Sequence, residues 1–148
     1  MCGIAGFFDP RASAPADELT DIATRMSNAI QHRGPDDDGV WVEPQTGIAL
    51  AHRRLSIIDT TDSSNQPMEN ASERYSIVFN GEIYNYKELK SELQTKGYNF
   101  KTNSDTEVLL QAYDCYGTSF LNKLNGFFAF ALYDKQEKTT LLARDRFG

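Results

Sequence analysis

Residues Phe127-Phe128-Ala129-Phe130-Ala131-Leu132-Tyr133 form a continuous apolar run. A strand presents side chains alternately to two faces, so a run like this needs cover on both. It must lie inside a layered structure, and the rest of the chain has to supply the layers. The order read along the chain is several strands, one helix, several strands, two helices, then strands. That order predicts an α+β fold in which β-sheets stack as a sandwich with helices outside. No internal repeat or low-complexity segment interrupts it.

The elements follow from local pattern. Cys2-Gly3-Ile4-Ala5-Gly6-Phe7-Phe8 reads as a buried strand directly behind the first methionine. Leu19, Ile22, Ala23, Met26 and Ile30 recur at helical spacing, with Pro15 near the start and Asp17 and Glu18 in the first turn. A Gly/Pro/Asp-rich loop, residues 31–39, ends that helix. Val40-Trp41-Val42, residues 48–51 and residues 55–59 read as strands. Residues 60–74 form the longest loop candidate. Residues 75–79 are a strand running into Asn80-Gly81-Glu82. Asn85 with Glu88, and Ser104 with Glu107, look like capping boxes opening two helices, which Gly97 and Gly117 stop. Residues 139–143 make the last strand.

Composition narrows the class. A chain of 148 residues is the size of one domain. Its net charge of −6 argues against nucleic acid or an anionic membrane as the main partner. No apolar run approaches the roughly 20 residues of a membrane helix, and no basic region precedes the N-terminal apolar run, so neither a span nor a signal peptide is expected. Two cysteines, Cys2 and Cys115, do not make a disulfide framework, and the expected compartment is the reducing cytoplasm. There is no P-loop, no Gly-rich dinucleotide motif and no zinc-like Cys/His spacing, so no cofactor or metal is expected in this chain.

Five places could carry chemistry. If Met1 is removed, Cys2 holds a thiol beside its own α-amine, a nucleophile with a built-in base; otherwise it is a cysteine at the start of a strand. Asn80-Gly81 offers two convergent donors for an oxyanion, or the strongest short hairpin signal. His52-Arg53-Arg54-Leu55 offers an arginine grip for a carboxylate, or a solvated basic pair at a sheet edge. Asp105 could meet an ammonium, or sit on a helix dipole. His32-Arg33-Gly34-Pro35-Asp36 is a binding loop or a turn. Neither His32 nor His52 has a local cysteine or carboxylate partner, and Cys115 reads as core.

Taken in order, these motifs resemble the N-terminal class II glutamine amidotransferase domain, of N-terminal-nucleophile hydrolase type, found in glutamine-hydrolysing asparagine synthetases. The likeness rests on Met1-Cys2-Gly3-Ile4-Ala5-Gly6, His32-Arg33-Gly34-Pro35-Asp36, His52-Arg53-Arg54-Leu55-Ser56-Ile57-Ile58-Asp59 and Gln66-Pro67-Met68. It continues through Asn80-Gly81-Glu82-Ile83-Tyr84-Asn85, Ser104-Asp105-Thr106-Glu107-Val108, residues 126–134 and Arg144-Asp145-Arg146-Phe147-Gly148. The resemblance implies a four-layer αββα sandwich over residues 1–148. It implies Cys2 as nucleophile, Asn80 and Gly81 as oxyanion hole, and Arg54 on the glutamine α-carboxylate. It places Leu55 and Ile57 in the pocket lining, and Glu82 and Asp105 near the α-amino group. It also implies glutamine as substrate, and a synthetase domain or subunit that receives ammonia and alone uses ATP and Mg²⁺. The acceptor could instead be another molecule such as a sugar. A non-catalytic module is the competing reading, and a homodimer is compatible with all of them. Because the chain stops directly after a strand at Gly148, the expectation is a domain truncated at its C-terminus.

Overall fold

The computed structural model describes residues 2–55 and 65–148. In chain order its elements are β1 (Gly3–Phe8), α1 (Ala16–Ala29), β2 (Asp37–Glu43), β3 (Ile48–Arg54), β4 (Met68–Glu69) and β5 (Tyr75–Ile83). They continue with α2 (Tyr86–Thr95), α3 (Asp105–Tyr116), β6 (Gly126–Asp134) and β7 (Thr139–Arg144). Short 3₁₀ turns follow α1 (Gln31–Arg33) and α3 (Gly117–Lys123). Two antiparallel sheets result, one ordered β1-β3-β2 and one ordered β4-β5-β6-β7.

Alternation along the strands sorts side chains into three packed seams. On the first sheet Ala49 and Ala51 of β3 meet Ala23 of α1, flanked by Ala5, Phe7, Val40 and Val42. Small residues on both partners let the helix backbone approach the sheet closely. The other face of that sheet turns Ile4, Trp41, Ile48 and Leu50 toward Val78, Ala131 and Tyr133 of the second sheet. Beyond it, Ile77, Phe79, Phe130 and Leu132 pack under Leu89 and Leu93 of α2 and Val108 and Leu109 of α3. The layers are therefore α1, first sheet, second sheet, then α2 with α3: an αββα sandwich. Each fully buried aliphatic or aromatic side chain contributes about 1.5–3 kcal/mol, so the seam beneath α2 and α3, which holds most of the large ones, carries most of the stability.

The continuous apolar run behaves as its composition demands. In β6, Phe128, Phe130 and Leu132 enter the helix-side core, while Ala131 and Tyr133 enter the seam between the sheets. Phe127, at 39% exposure, stands outside, its ring tilted against that of Tyr84 with centroids 6.1 Å apart.

Several expectations are corrected. Strands run longer than pattern suggested, because pairing with a neighbour carries β2 back to Asp37 and β5 on to Ile83. Residues 68–69 within the expected long loop pair with β5 as β4. Residues 56–64, and with them most of the strand expected at 55–59, lie outside the described residues. Asn85 does not cap α2 through its side chain. Its amide instead donates to the Lys123 carbonyl at 2.8 Å and accepts from Asn125 N–H at 2.9 Å, anchoring the approach to β6. Ser104 does cap α3 by accepting from Thr106 N–H, but Glu107 turns away to take the N–H groups of Lys101 and Thr102 at 2.8 and 2.7 Å.

Between the outer edges β1 and β7 an apolar cavity of about 960 Å³ opens, lined by Ile4, Phe8, Val78, Ala131 and Leu142 among others. Leu142 is 73% exposed and Phe8 60% exposed there. This cavity opens along the outer edges of the sandwich and does not include Arg54, Asn80, Gly81 or Asp105.

Candidate functional site

The candidate residues gather at one end of the seam between the sheets. β1 pairs with β3 so that Gly3 faces Arg53 and Ile4 faces His52. Continuing that antiparallel register by one residue sets Cys2 opposite Arg54, and β2 sets Asp37 opposite Arg54 from the other side. Ile4, Trp41 and Leu50 point to the second sheet, so alternation turns Cys2, Asp37, His52 and Arg54 the same way. On β5, Val78 points back toward the first sheet, and alternation places Asn80 and Glu82 on that face with it.

The two adjacent arginines part company. β3 is the central strand of its sheet, not an edge, so neither is simply solvated. Arg53 points to the helix side and is 5% exposed. Its guanidinium donates to the Ser27 carbonyl at 3.3 Å, to Asp38 at 3.2 Å and to the Asn28 side chain. Arg54 points into the seam and donates to the Asn65 side chain at 2.8 Å. Only Arg54 is placed to meet a ligand.

The loop after α1 seats this end of the sheet. Arg33 donates to the Cys2 carbonyl at 3.3 Å, and Asp36 N–H donates to the Arg54 carbonyl at 3.1 Å. The motif His32 to Asp36 thus ties the start of β1 to the end of β3. The Cys2 side chain is half-buried, and neither cysteine is in a disulfide.

Asn80-Gly81 is not a turn. Both residues lie inside β5 and pair with Ala129 and Phe128 of β6. Backbone groups of an antiparallel strand point alternately to its two neighbours. Tyr84 N–H donates toward the β6 side, to Asn125, whereas Tyr75 N–H donates toward the β4 side, to Asn70. Even-numbered residues of β5 therefore bond β6, and odd-numbered residues face β4. β4 covers β5 only as far as Ile77. Beyond it three N–H groups emerge in a row. Phe79 N–H is taken by Gln66 Oε1 at 2.5 Å, and Ile83 N–H by Asp105 Oδ2 at 3.1 Å. Gly81 N–H lies between them and finds no acceptor among the described residues. The Asn80 amide likewise makes no hydrogen bond among them.

Gly81 is glycine for a geometric reason. Its φ of +153° lies in the region L-residues avoid, and a Cβ would fall 2.2 Å from the Phe127 carbonyl oxygen. The strand can take this conformation against β6 only because no side chain is present.

Asp105 heads α3 as its first residue and bonds the backbone of β5, so it does more than complement a helix dipole. Burial pushes its carboxyl up from the usual aspartate value, against the lowering effect of the Ile83 N–H. Glu82 is exposed on the seam side of the strand, and Leu55 is half-buried just past β3. Ile57 lies outside the described residues. Among the described residues, no group of three or more His, Cys, Asp and Glu side chains could hold a metal ion.

His52 is the residue the sequence left without a partner. It is 2% exposed, its Nε2 has no hydrogen-bond partner, and burial lowers its pKa from 6.5 to about 4. The folded chain therefore holds it neutral, and its contribution is complete above the unfolded value. It is lost as pH falls from 6.5 toward 4. That difference corresponds to about 3 kcal/mol. Denaturant unfolding across this window should show the loss, and His52→Gln should remove most of the slope. The raised Asp105 carboxyl acts with opposite sign, disfavouring the fold as pH rises through its own titration, and it remains in the variant. An identical slope in both proteins would count against a buried neutral imidazole.

The fold agrees with what is found for similar proteins. The family described as "Glutamine amidotransferase domain" matches residues 1–148. The chain belongs to that family. It is 45% identical to asparagine synthetase [glutamine-hydrolyzing] 1 of Bacillus subtilis, over all of this chain and 23% of that protein. It is 41% identical to asparagine synthetase B [glutamine-hydrolyzing] of Escherichia coli, over all of this chain and 26% of that protein. It is also 37% identical to amidase chry2 of Gibberella zeae, again over all of this chain and 23% of that protein. The chain thus spans about a quarter of the length of these relatives. Among solved structures, glutamine phosphoribosylpyrophosphate amidotransferase of B. subtilis superposes with a TM-score of 0.71, covering 97% of this chain and 36% of that one. At 22% identity that likeness speaks for the fold alone.

Proposed function

We propose that the chain hydrolyses glutamine to glutamate and ammonia, with Cys2 as nucleophile once Met1 has been removed. The observation that carries this is the row of N–H groups on β5. The two outer donors are capped by Gln66 and Asp105, and among the described residues the middle one, on Gly81, and the Asn80 amide next to it have no partner. Two neighbouring donors, the Asn80 amide on the same seam face as Cys2 and the Gly81 N–H at the adjoining strand edge, suit an oxyanion.

In this reading Cys2 Sγ attacks the side-chain carbonyl carbon of glutamine. The α-amine of Cys2 takes the thiol proton and passes it to the departing nitrogen, which leaves as ammonia. Gly81 N–H and the Asn80 amide hold the negative oxygen, each worth about 3–4 kcal/mol in the transition state. Water, activated by the same amine, then attacks the thioester and releases glutamate. Arg54 grips the substrate α-carboxylate, and Leu55 and Ile57 line the pocket. Asp105 and Glu82 meet the α-ammonium. A bound ammonium would also draw the Asp105 carboxyl back toward its ionised form.

The relatives support a destination for the ammonia. Two are named as glutamine-hydrolysing asparagine synthetases, so we place this chain as the ammonia-donating part of such an enzyme. ATP and Mg²⁺ then belong to the acceptor part. The likeness to an amidase keeps a different acceptor as the second reading. A reducing cytoplasm fits a mechanism that needs a free thiol.

The test is the reaction itself. Chain shown by mass spectrometry to begin at Cys2 should release glutamate and ammonia in equal amounts from L-glutamine. The same chain retaining Met1, with no free amine on Cys2, should not. Equal turnover by both would overturn the α-amine as base, and absence of turnover by the folded, processed chain would favour a binding module.

A further inference from the structure

The peptide unit just before Asn80 lies between two side chains that no role above uses. Beyond the end of β4, Phe79 has lost its strand partner on that edge. Gln66 supplies an acceptor for the Phe79 N–H, with Oε1 at 2.5 Å. On the other side the buried His52 imidazole lies near enough for the Phe79 backbone to oppose the burial that lowers its pKa. Gln66 does for that N–H what an adjacent strand would do, at the one residue that precedes the open donors.

Both members are themselves fixed. His52 sits on central strand β3, paired with Ile4 on one side and Gly39 on the other. Gln66 Nε2 donates to Thr106 Oγ1 of α3 at 3.3 Å. The Gln66 carbonyl lies so close to Gly39 that a Cβ there would be 2.2 Å from it. The clamp therefore links the first sheet, the second sheet and α3 at one peptide.

We propose that His52 and Gln66 are positioning residues that clamp the Phe79 peptide, and so set where Asn80 and Gly81 stand relative to Cys2 and Arg54. Neither touches substrate. This rests on the glutaminase reading for its kinetic consequence, but not for its structural one. Loss of the clamp lets β5 drift beyond β4, misaligning the oxyanion donors while the substrate grip stays in place. The effect belongs in kcat rather than KM.

Paired variants separate this from packing. Gln66→Leu keeps the size and removes the acceptor, while Gln66→Glu keeps the acceptor. His52→Ala removes the imidazole, and His52→Asn keeps a side-chain N–H. Gln66→Leu and His52→Ala should each lower kcat at least about tenfold with KM within about threefold. Gln66→Glu and His52→Asn should recover most of it. In two-dimensional NMR the Asn80 and Gly81 amide resonances should move in the first pair and return in the second. If Gln66→Leu leaves both amides in place, the clamp is wrong, whatever the turnover. If the conservative variants fail to restore the amides, the side chains act by packing and the proposal falls. Should processed wild-type chain turn over no glutamine, the glutaminase reading fails and the amide resonances still decide the clamp.

Discussion

Cys2→Ala should abolish glutamate release, lowering kcat/KM by at least roughly a thousandfold, with little change in thermal stability. The proposed chemistry has only one nucleophile, and no other group among the described residues is placed to replace it. The second cysteine, Cys115, packs against the core between the second sheet and α2 with α3, on the far side of that sheet from the seam. Structurally the thiol is dispensable. Cys2 is half-buried, and the contact that anchors it, Arg33 to its backbone carbonyl, survives in alanine. A coupled assay for glutamate, run with a thermal melt of the same sample, separates the two effects. Turnover that persists in the variant would remove Cys2 from the mechanism. A collapsed melt would show instead that the first strand depends on the thiol for packing.

Arg54→Ala and Arg53→Ala should fail in opposite ways. Arg54→Ala should raise the KM for glutamine by roughly a hundredfold, the loss expected for a charge-assisted, two-pronged grip on a carboxylate. Arg53→Ala should leave KM nearly unchanged and cost about 3 kcal/mol of stability, because it strands the polar groups its guanidinium satisfies. Those are the Ser27 carbonyl, the Asn28 side chain and Asp38. Initial rates against glutamine concentration, with denaturant melts of both variants, decide it. The reverse assignment would show that the face alternation of β3 has been read wrongly. An unchanged KM in Arg54→Ala would remove the carboxylate grip.

Much of this was legible in the chain before any coordinates. The stripe from Leu19 to Met26, the run from residue 127 to 133 and the Ser104 cap each report local physics, and each formed where expected. Asn80-Gly81 shows where local reading stops. As a dipeptide it is a hairpin signal, because glycine tolerates the turn. In the fold, pairing with β6 on one side keeps both residues in a strand, and the glycine serves to let β5 pass within contact of Phe127. Asn85 shows the same limit, since its amide is worth more as a brace to residues 123 and 125 than as a cap.

The candidate site divides in a similar way. Cys2, Arg54, Asn80, Gly81, Glu82 and Asp105 could be named from motifs in order. What the motifs could not say is which neighbour of a pair matters. Arg53 and Arg54 are chemically alike, and only the placement of β3 between β1 and β2, with a helix on one face and a sheet on the other, sends one into structure and one into the site. Gln66 carried no local signal for its contact, because its partner, Phe79, lies in β5, 13 positions further along the chain. Periodicity, caps and breakers act over a turn of helix or a few strand residues, so the sequence by itself determined most of the elements and named the candidate groups. Which donors stay open, and which polar groups are spent on holding them, depends on contacts between distant segments, and only the tertiary structure decided that.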